Sequence, residues 1–264
     1  MFRIPATRLP DADAALLSGL HADVMGVVDY AGQVATGKRR WSTKPTPLFR
    51  RIKLILEGMC SGNIRCIYCE DSRADEIEHM QPKDLYPQKV FDWDNYVLAC
   101  GPCNGLKNNR FAVLKTRKAD LIDVTRKPGA PILPPTAGSP ALINPRTENP
   151  LSFLWLDMNT WRFTPKLGIS PRASSRAIYT IDVLRLNTRD ELLRGRRSAY
   201  SGYLARVRDY VEHSKQWSAI KERRFVEDFK AQSYRTVWLE MIRQRTFHAE
   251  VDQLLVDTPE VRFW

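Results

Sequence analysis

The chain has 264 residues, with 41 lysines and arginines against 30 aspartates and glutamates and a formal net charge of +11. That surplus suits a polyanionic partner, whose counterions it would release, and 43% hydrophobic residues argue for a folded core rather than a disordered chain. No run of twenty apolar residues occurs, which excludes a membrane-spanning helix. The first twenty residues also lack the basic start and continuous apolar stretch of a secretory leader. The expected location is therefore cytoplasmic, where thiols stay reduced and disulfides are not expected.

In chain order, Asp11 to Gly37 and Pro47 to Met59 show helical periodicity, with Leu48, Ile52, Ile55 and Leu56 on one face of the second stretch. Cys60 follows as a small hydrophobe at a helix end. Two clips come next, Cys66-Ile67-Tyr68-Cys69 and Cys100-Gly101-Pro102-Cys103. Paired Cys-x-x-Cys spacing places four thiolates where a tetrahedral zinc ion collects them. A closed four-thiolate site leaves no open position for substrate, so this zinc is structural. Between the clips, the sequence reads as a strand around Ile77, a long loop through Gln81, Pro82 and Lys83, and a second strand over Tyr96, Val97, Leu98 and Ala99. A helix opening near Pro102 completes a ββα unit pinned by zinc.

Glu78-His79 lies between the clips, Asn95 closes the Trp93-Asp94-Asn95 run, and Asn104 follows the last cysteine. With this pattern, residues 66 to 109 resemble an HNH nuclease of the ββα-metal type. The resemblance implies His79 as general base, Asn95 as the brace of the loop that orients it, and Glu78, Asn104 and Asn108 around a catalytic Mg2+ or Mn2+. Lys107 would neutralise phosphate, and Lys83, Arg110 and Lys115 would join it in holding nucleic acid. Glu78 stands where the commoner residue is Asp or His, and Asn104 where it is His. The chemistry is coherent in its own terms: hard oxygen donors suit these ions, and a neutral imidazole takes a proton from water near pH 7. Glu70, Asp75 and Glu76 read as surface or supporting groups, and His21, His213 and His248 as ordinary helix residues.

Residues 127–150 hold seven of the 17 prolines and read as an irregular connector that Leu142 and Ile143 anchor. A short hairpin is expected around Met158 and Asn159. From Pro171 the chain reads as helical. Ala177, Ile178, Ile181, Leu184 and Leu186 form one apolar stripe, Thr188 to Glu191 reads as a capping box, and further helices are expected near 218–231 and 234–256. The expected fold is mainly α with a small zinc-stapled ββα HNH unit (α+β). Its parts are an N-terminal helical segment packed on that unit (1–60), the HNH nuclease domain (61–126), the Pro-rich connector (127–150) and a C-terminal helical domain (151–264).

Basic clusters at 38–40, 50–53 and 115–118, and at Arg194, Arg196 and Arg197, point to a nucleic-acid partner. The helical tail beside an HNH unit is similar to the HNH subunits of Septu-type and retron-associated bacterial antiviral systems. That resemblance implies a separate ATPase partner, and the tail aromatics Trp238, Phe263 and Trp264 are candidates for docking it or a second copy. The functional expectation is a metal-dependent endonuclease, with DNA favoured over RNA as substrate. Two alternatives stay open: a non-catalytic zinc module that binds nucleic acid, and a scaffold within an ATPase complex.

Overall fold

The computed structural model describes residues 1–115 and 119–264. Three residues of the basic run at 115–118 therefore lie outside the described residues. The chain opens with three helices, α1 (Asp11–Met25), α2 (Tyr30–Ser42) and α3 (Thr46–Met59). The periodic stretch from Asp11 to Gly37 is thus two helices rather than one. Gly26 closes the first, and the Asp29 carboxylate accepts the Gly32 N–H at 2.8 Å to open the second. On α3, Leu48, Ile52 and Leu56 are buried as the periodicity predicts, and Cys60 caps the helix end.

The hairpin β1 (Glu76–His79) and β2 (Tyr96–Ala99) is antiparallel, with Glu76 opposite Ala99 and His79 opposite Tyr96. It runs into the seven-residue helix α4 (Gly101–Lys107). Next, β3 (Ala112–Leu114) pairs with β4 (Leu121–Asp123) on one edge and β5 (Ser139–Pro140) on the other. The Pro-rich connector is thereby clamped. Ala141, Leu142 and Ile143 are buried, Ile143 N–H donates to Thr180 Oγ1 at 3.1 Å, and the Arg146 guanidinium donates to the Tyr96 carbonyl at 3.1 Å.

The hairpin expected near Met158 forms as β6 (Leu154–Asp157) and β7 (Arg162–Pro165). Five helices follow: α5 (Pro171–Val183), α6 (Asp190–His213), α7 (Ala219–Lys230), α8 (Arg235–Gln244) and α9 (Ala249–Asp257). Three expectations need correction here. Ile178 leaves the apolar stripe and is 46% exposed, while Ala177, Ile181, Leu184 and Leu186 are buried. Thr188 caps nothing, because α6 begins at Asp190 behind Arg189, whose guanidinium is drawn to the Leu184 carbonyl and to a cysteine sulfur. The helix expected at 234–256 is broken by a 3-10 turn at Arg245–Phe247, which folds α9 back against α6 and α8.

One buried apolar cluster runs from the N-terminal segment through the cysteine unit to the last residue. The tail aromatics belong to it. Trp238 is 1% exposed against Tyr203 and Phe229, and Trp264 packs edge-on to Tyr210 with ring centroids 4.7 Å apart. Of the three tail aromatics named as docking candidates, Phe263 alone faces solvent. Among the described residues no helix is long and apolar enough to cross a membrane.

Candidate active site and cysteine cluster

The first cysteine clip lies in a tight turn, where the Cys66 carbonyl accepts the Glu70 N–H at 2.8 Å and Glu70 takes a positive φ of 62°. The second clip is the start of α4: Cys100 precedes its first residue, and Cys103 is one turn in. Hydrogen bonds from Ile67 N–H to the Leu98 carbonyl and from Asp75 N–H to the Ala99 carbonyl fasten the turn to β2. All four Sγ atoms consequently lie within 4.8 Å of one another, and Cys69 and Cys100 are 3.8 Å apart. A zinc ion with Zn–S bonds of about 2.3 Å sets its sulfurs roughly 3.8 Å apart in a tetrahedron. The cluster fits that ion. Four buried thiolates at this spacing would repel one another, so they need a cation among them.

Two contacts tie the cluster to the helical half. Arg189 donates to Cys103 Sγ at 3.3 Å, placing a positive charge against what would be a dianionic zinc–thiolate centre. Glu70 is 1% exposed, not a surface group, and its carboxylate accepts the Thr236 N–H at 2.8 Å. Sequence reading missed Arg189 because its neighbours mimic a helix cap. Glu70 is a supporting rather than a surface group, and its partner was not foreseen because it lies on α8, far along the chain.

Strand alternation divides the β1 side chains between two faces of the hairpin. Glu76 and Glu78 meet α4, whose residues 104 and 107 are one turn apart and face them in step. Asn104 Nδ2 donates to Glu76 Oε2 at 2.6 Å, and the Lys107 ammonium sits 2.5 Å from Glu78 Oε1. Lys107 also donates to the His79 carbonyl at 2.8 Å. Burial raises the Glu78 carboxyl above its usual range, and the Lys107 charge opposes that rise.

Glu78 and Asn104, expected together around one divalent ion, are thus bound to different partners. The set Glu78, Asn104 and Asn108 does not fit a shared ion as folded, because Lys107 already supplies the cation at Glu78. Asn108 is exposed at the end of α4 with φ 42°. The expectation that Lys107 touches nucleic acid is also corrected: the residue is 0% exposed, so its ammonium cannot reach a phosphate. Arg110 is half-buried and donates to the Val183 carbonyl at 2.8 Å. Lys83 is half-buried, and Lys115 is exposed.

His79 points to the other face. Its Nε2 lies 3.0 Å from the Val90 carbonyl, which also accepts the Tyr96 hydroxyl at 2.6 Å. A carbonyl only accepts, so Nε2 carries the proton of the neutral ring and the Nδ1 lone pair is left over. Asn95 fixes that carbonyl's loop. Its Oδ1 accepts Gln81 N–H at 2.7 Å, and its Nδ2 donates to the Gln81 and Lys89 carbonyls at 3.0 and 2.8 Å. Trp41, from the end of α2, stands over the His79 ring edge-on at 4.3 Å, and Phe49 backs it. Burial first, then the nearby Lys83, Lys107 and Lys44 charges, push the imidazole down to about 3 against the pull of the Val90 carbonyl. The ring is neutral throughout the physiological range.

A hairpin and short helix stapled by four cysteines, with Glu-His on the first strand, is the arrangement of an HNH endonuclease segment of the zinc type. Residues 66–110 match the HNH endonuclease family. A particular relative is the Septu protein PtuB of Bacillus thuringiensis, 44% identical over 61 residues. That similarity covers 21% of this chain and 23% of the relative's own length.

Two residues beside the site were not foreseen. Glu76 had a usable signal, since residues two apart on a strand share a face. Trp41 had none, because it is brought to His79 only by tertiary packing.

Proposed function

We propose that this chain is an endonuclease that hydrolyses nucleic-acid phosphodiesters, DNA by preference, as the effector of an antiphage defence system acting with an ATPase partner. The observation that carries the nuclease reading is the setting of His79. Within an HNH-matched segment, its Nε2 is anchored on a loop carbonyl that Asn95 holds in place, and its Nδ1 lone pair is uncommitted. A neutral imidazole so oriented can accept a proton from an attacking water, although burial makes it a weaker base than a free one. Asn104, with its Nδ2 on Glu76, lines the cleft together with that residue, and their amide and carboxylate oxygens are the hard donors a magnesium-type ion would take. Such an ion supplies charge neutralisation at the phosphate. The defence role is supported by the similarity to the Septu protein PtuB, and the ATPase partner is what the resemblance to Septu-type HNH subunits implies.

The test is cleavage of plasmid DNA and of tRNA with Mg2+, with Mn2+ and with chelator, by wild type and His79→Ala. The variant is expected to bind nucleic acid as before and to cleave about 100-fold more slowly. Cleavage by His79→Ala at the wild-type rate would remove His79 from the chemistry. A second reading, a nucleic-acid-binding module without cleavage, is favoured by one observation: His79 is 4% exposed beneath Trp41. Tight binding by wild type with no cleavage in either metal selects that reading.

A further inference from the structure

A cleft of about 610 Å³ opens beside the Trp41–His79 contact, and its two walls have different origins. One wall is β1 and α4, carrying Glu76 and Asn104 from the matched segment. The other is the elbow where α2 turns into α3, upstream of that segment, and it presents Trp41, Lys44, Arg50 and Lys53.

The cations of this region divide by partner. Arg51 turns away to Asp13, with which it makes contacts of 2.9, 3.2 and 2.6 Å. Arg40 pairs with Asp23 at 2.7 Å, and Lys38 with Asp84 at 2.9 Å. Arg50 and Lys53 stand one turn apart on α3 and both line the cleft. Neither they nor Lys44 has a carboxylate partner among the described residues. Lys44 lies over the Trp41 ring at 4.6 Å from its centroid and donates to the Trp41 carbonyl at 3.2 Å. Its charged neighbour is Lys83, another cation. Three basic side chains thus crowd one wall without compensation, while the facing wall is acidic.

We propose that the α2–α3 elbow is the phosphate-binding jaw of this cleft, with Lys44, Arg50 and Lys53 holding the backbone of the nucleic acid presented to Glu76 and Asn104. The inference rests on the nuclease reading above, since it names how that substrate is held.

The experiment is fluorescence anisotropy of a labelled duplex DNA with the full zinc-loaded chain, titrated between about 50 and 200 mM salt. The variants are Arg50→Glu with Lys53→Glu, Arg50→Gln with Lys53→Gln, and Arg8→Glu as an exposed control. Melting temperature and zinc content establish that each is folded, and the glutamine pair serves if the charge reversal is not. Loss of two phosphate contacts should weaken binding at least about tenfold and lower the log–log salt slope by about two. The Arg8 variant should match wild type. Wild-type affinity and slope in the glutamine pair, with wild type itself binding, would overturn the jaw and leave the nuclease reading standing. A wild-type chain that binds neither duplex DNA nor RNA would remove both. Binding lost in the elbow variants but kept in His79→Ala supports the jaw and separates holding from cleavage.

Discussion

The two faces of the β1–β2 hairpin are made from different parts of the chain. One face, with Glu76 and Glu78, is closed by α4, which comes directly after it in sequence and belongs to the same HNH-matched segment. The other, with His79, is closed by Trp41 and Phe49 from helices well upstream. The first face is a local device: strand and helix repeat in step, so Glu76 meets Asn104 and Glu78 meets Lys107. The second is a tertiary device, in which the environment of the key imidazole is set by residues the motif does not contain. A motif can therefore be intact while its access and protonation are governed elsewhere.

The sharpest way to break the local face is at its staple. Cys66→Ser removes one of four sulfurs from a closed site, and structural zinc of this kind contributes on the order of 10 kcal/mol to folding. The expected result is loss of zinc by elemental analysis and loss of a cooperative melting transition. A zinc-free variant with the wild-type melting temperature would show that the hairpin and α4 hold together unaided.

Lys107→Met tests the same face more gently. It leaves the Glu78 carboxylate buried without its counter-charge, which typically costs about 3–5 kcal/mol. The Glu78 carboxyl already lies above its usual range, and the variant raises it further. A group raised in this way destabilises the fold as pH climbs through its folded-state value, so the deficit should be largest near neutrality. Urea unfolding at pH 7.5 and pH 5 checks this, and an equal deficit at both would mean Glu78 is not the cause.

The tertiary face has a smaller signature with the opposite sign. The imidazole of His79 is held near 3, below the ordinary 6.5, because the fold buries it neutral. The unfolded chain binds the proton first, so this contribution is present above about pH 6.5 and is lost as pH falls toward 3. Between pH 7.5 and 5 wild type should lose about 2 kcal/mol from this group. His79→Gln cannot titrate and should show a correspondingly flatter profile, with Glu78 common to both proteins. Parallel profiles would mean the folded ring takes up its proton as readily as the unfolded one.

The legibility of the sequence follows this division. Cysteine spacing, both hairpin strands, α4 and the apolar face of α3 were readable because each is fixed by residues close together. The partners of Glu78 and Asn104 were half readable. Alternation places Glu76 beside Glu78, but only the packing of α4 shows that Lys107 takes Glu78 and leaves Asn104 to Glu76. Trp41 over His79, Thr236 on Glu70 and Arg189 on Cys103 were not readable, since each contact joins segments whose approach depends on the whole core. Of the tail aromatics, Trp238 and Trp264 could not be placed for the same reason: surface and core use of tryptophan look alike until Tyr203, Phe229 and Tyr210 are seen around them.

The shortness of α4 has a further consequence. Cys100, Cys103, Asn104 and Lys107 occupy consecutive turns of one seven-residue helix and its leading residue. Each inserted or deleted residue rotates the downstream side chains by about 100° around the helix axis. An indel after Cys103 would leave the sulfur cluster whole yet swing Asn104 from Glu76 and Lys107 from Glu78. The 80–95 loop is constrained differently, by the Asn95 bonds to Gln81 and Lys89 and by buried Leu85, Val90 and Phe91. Length variation among natural versions of this segment should vanish from Cys100 to Lys107, a pattern that counting gaps, without any assay, is enough to find.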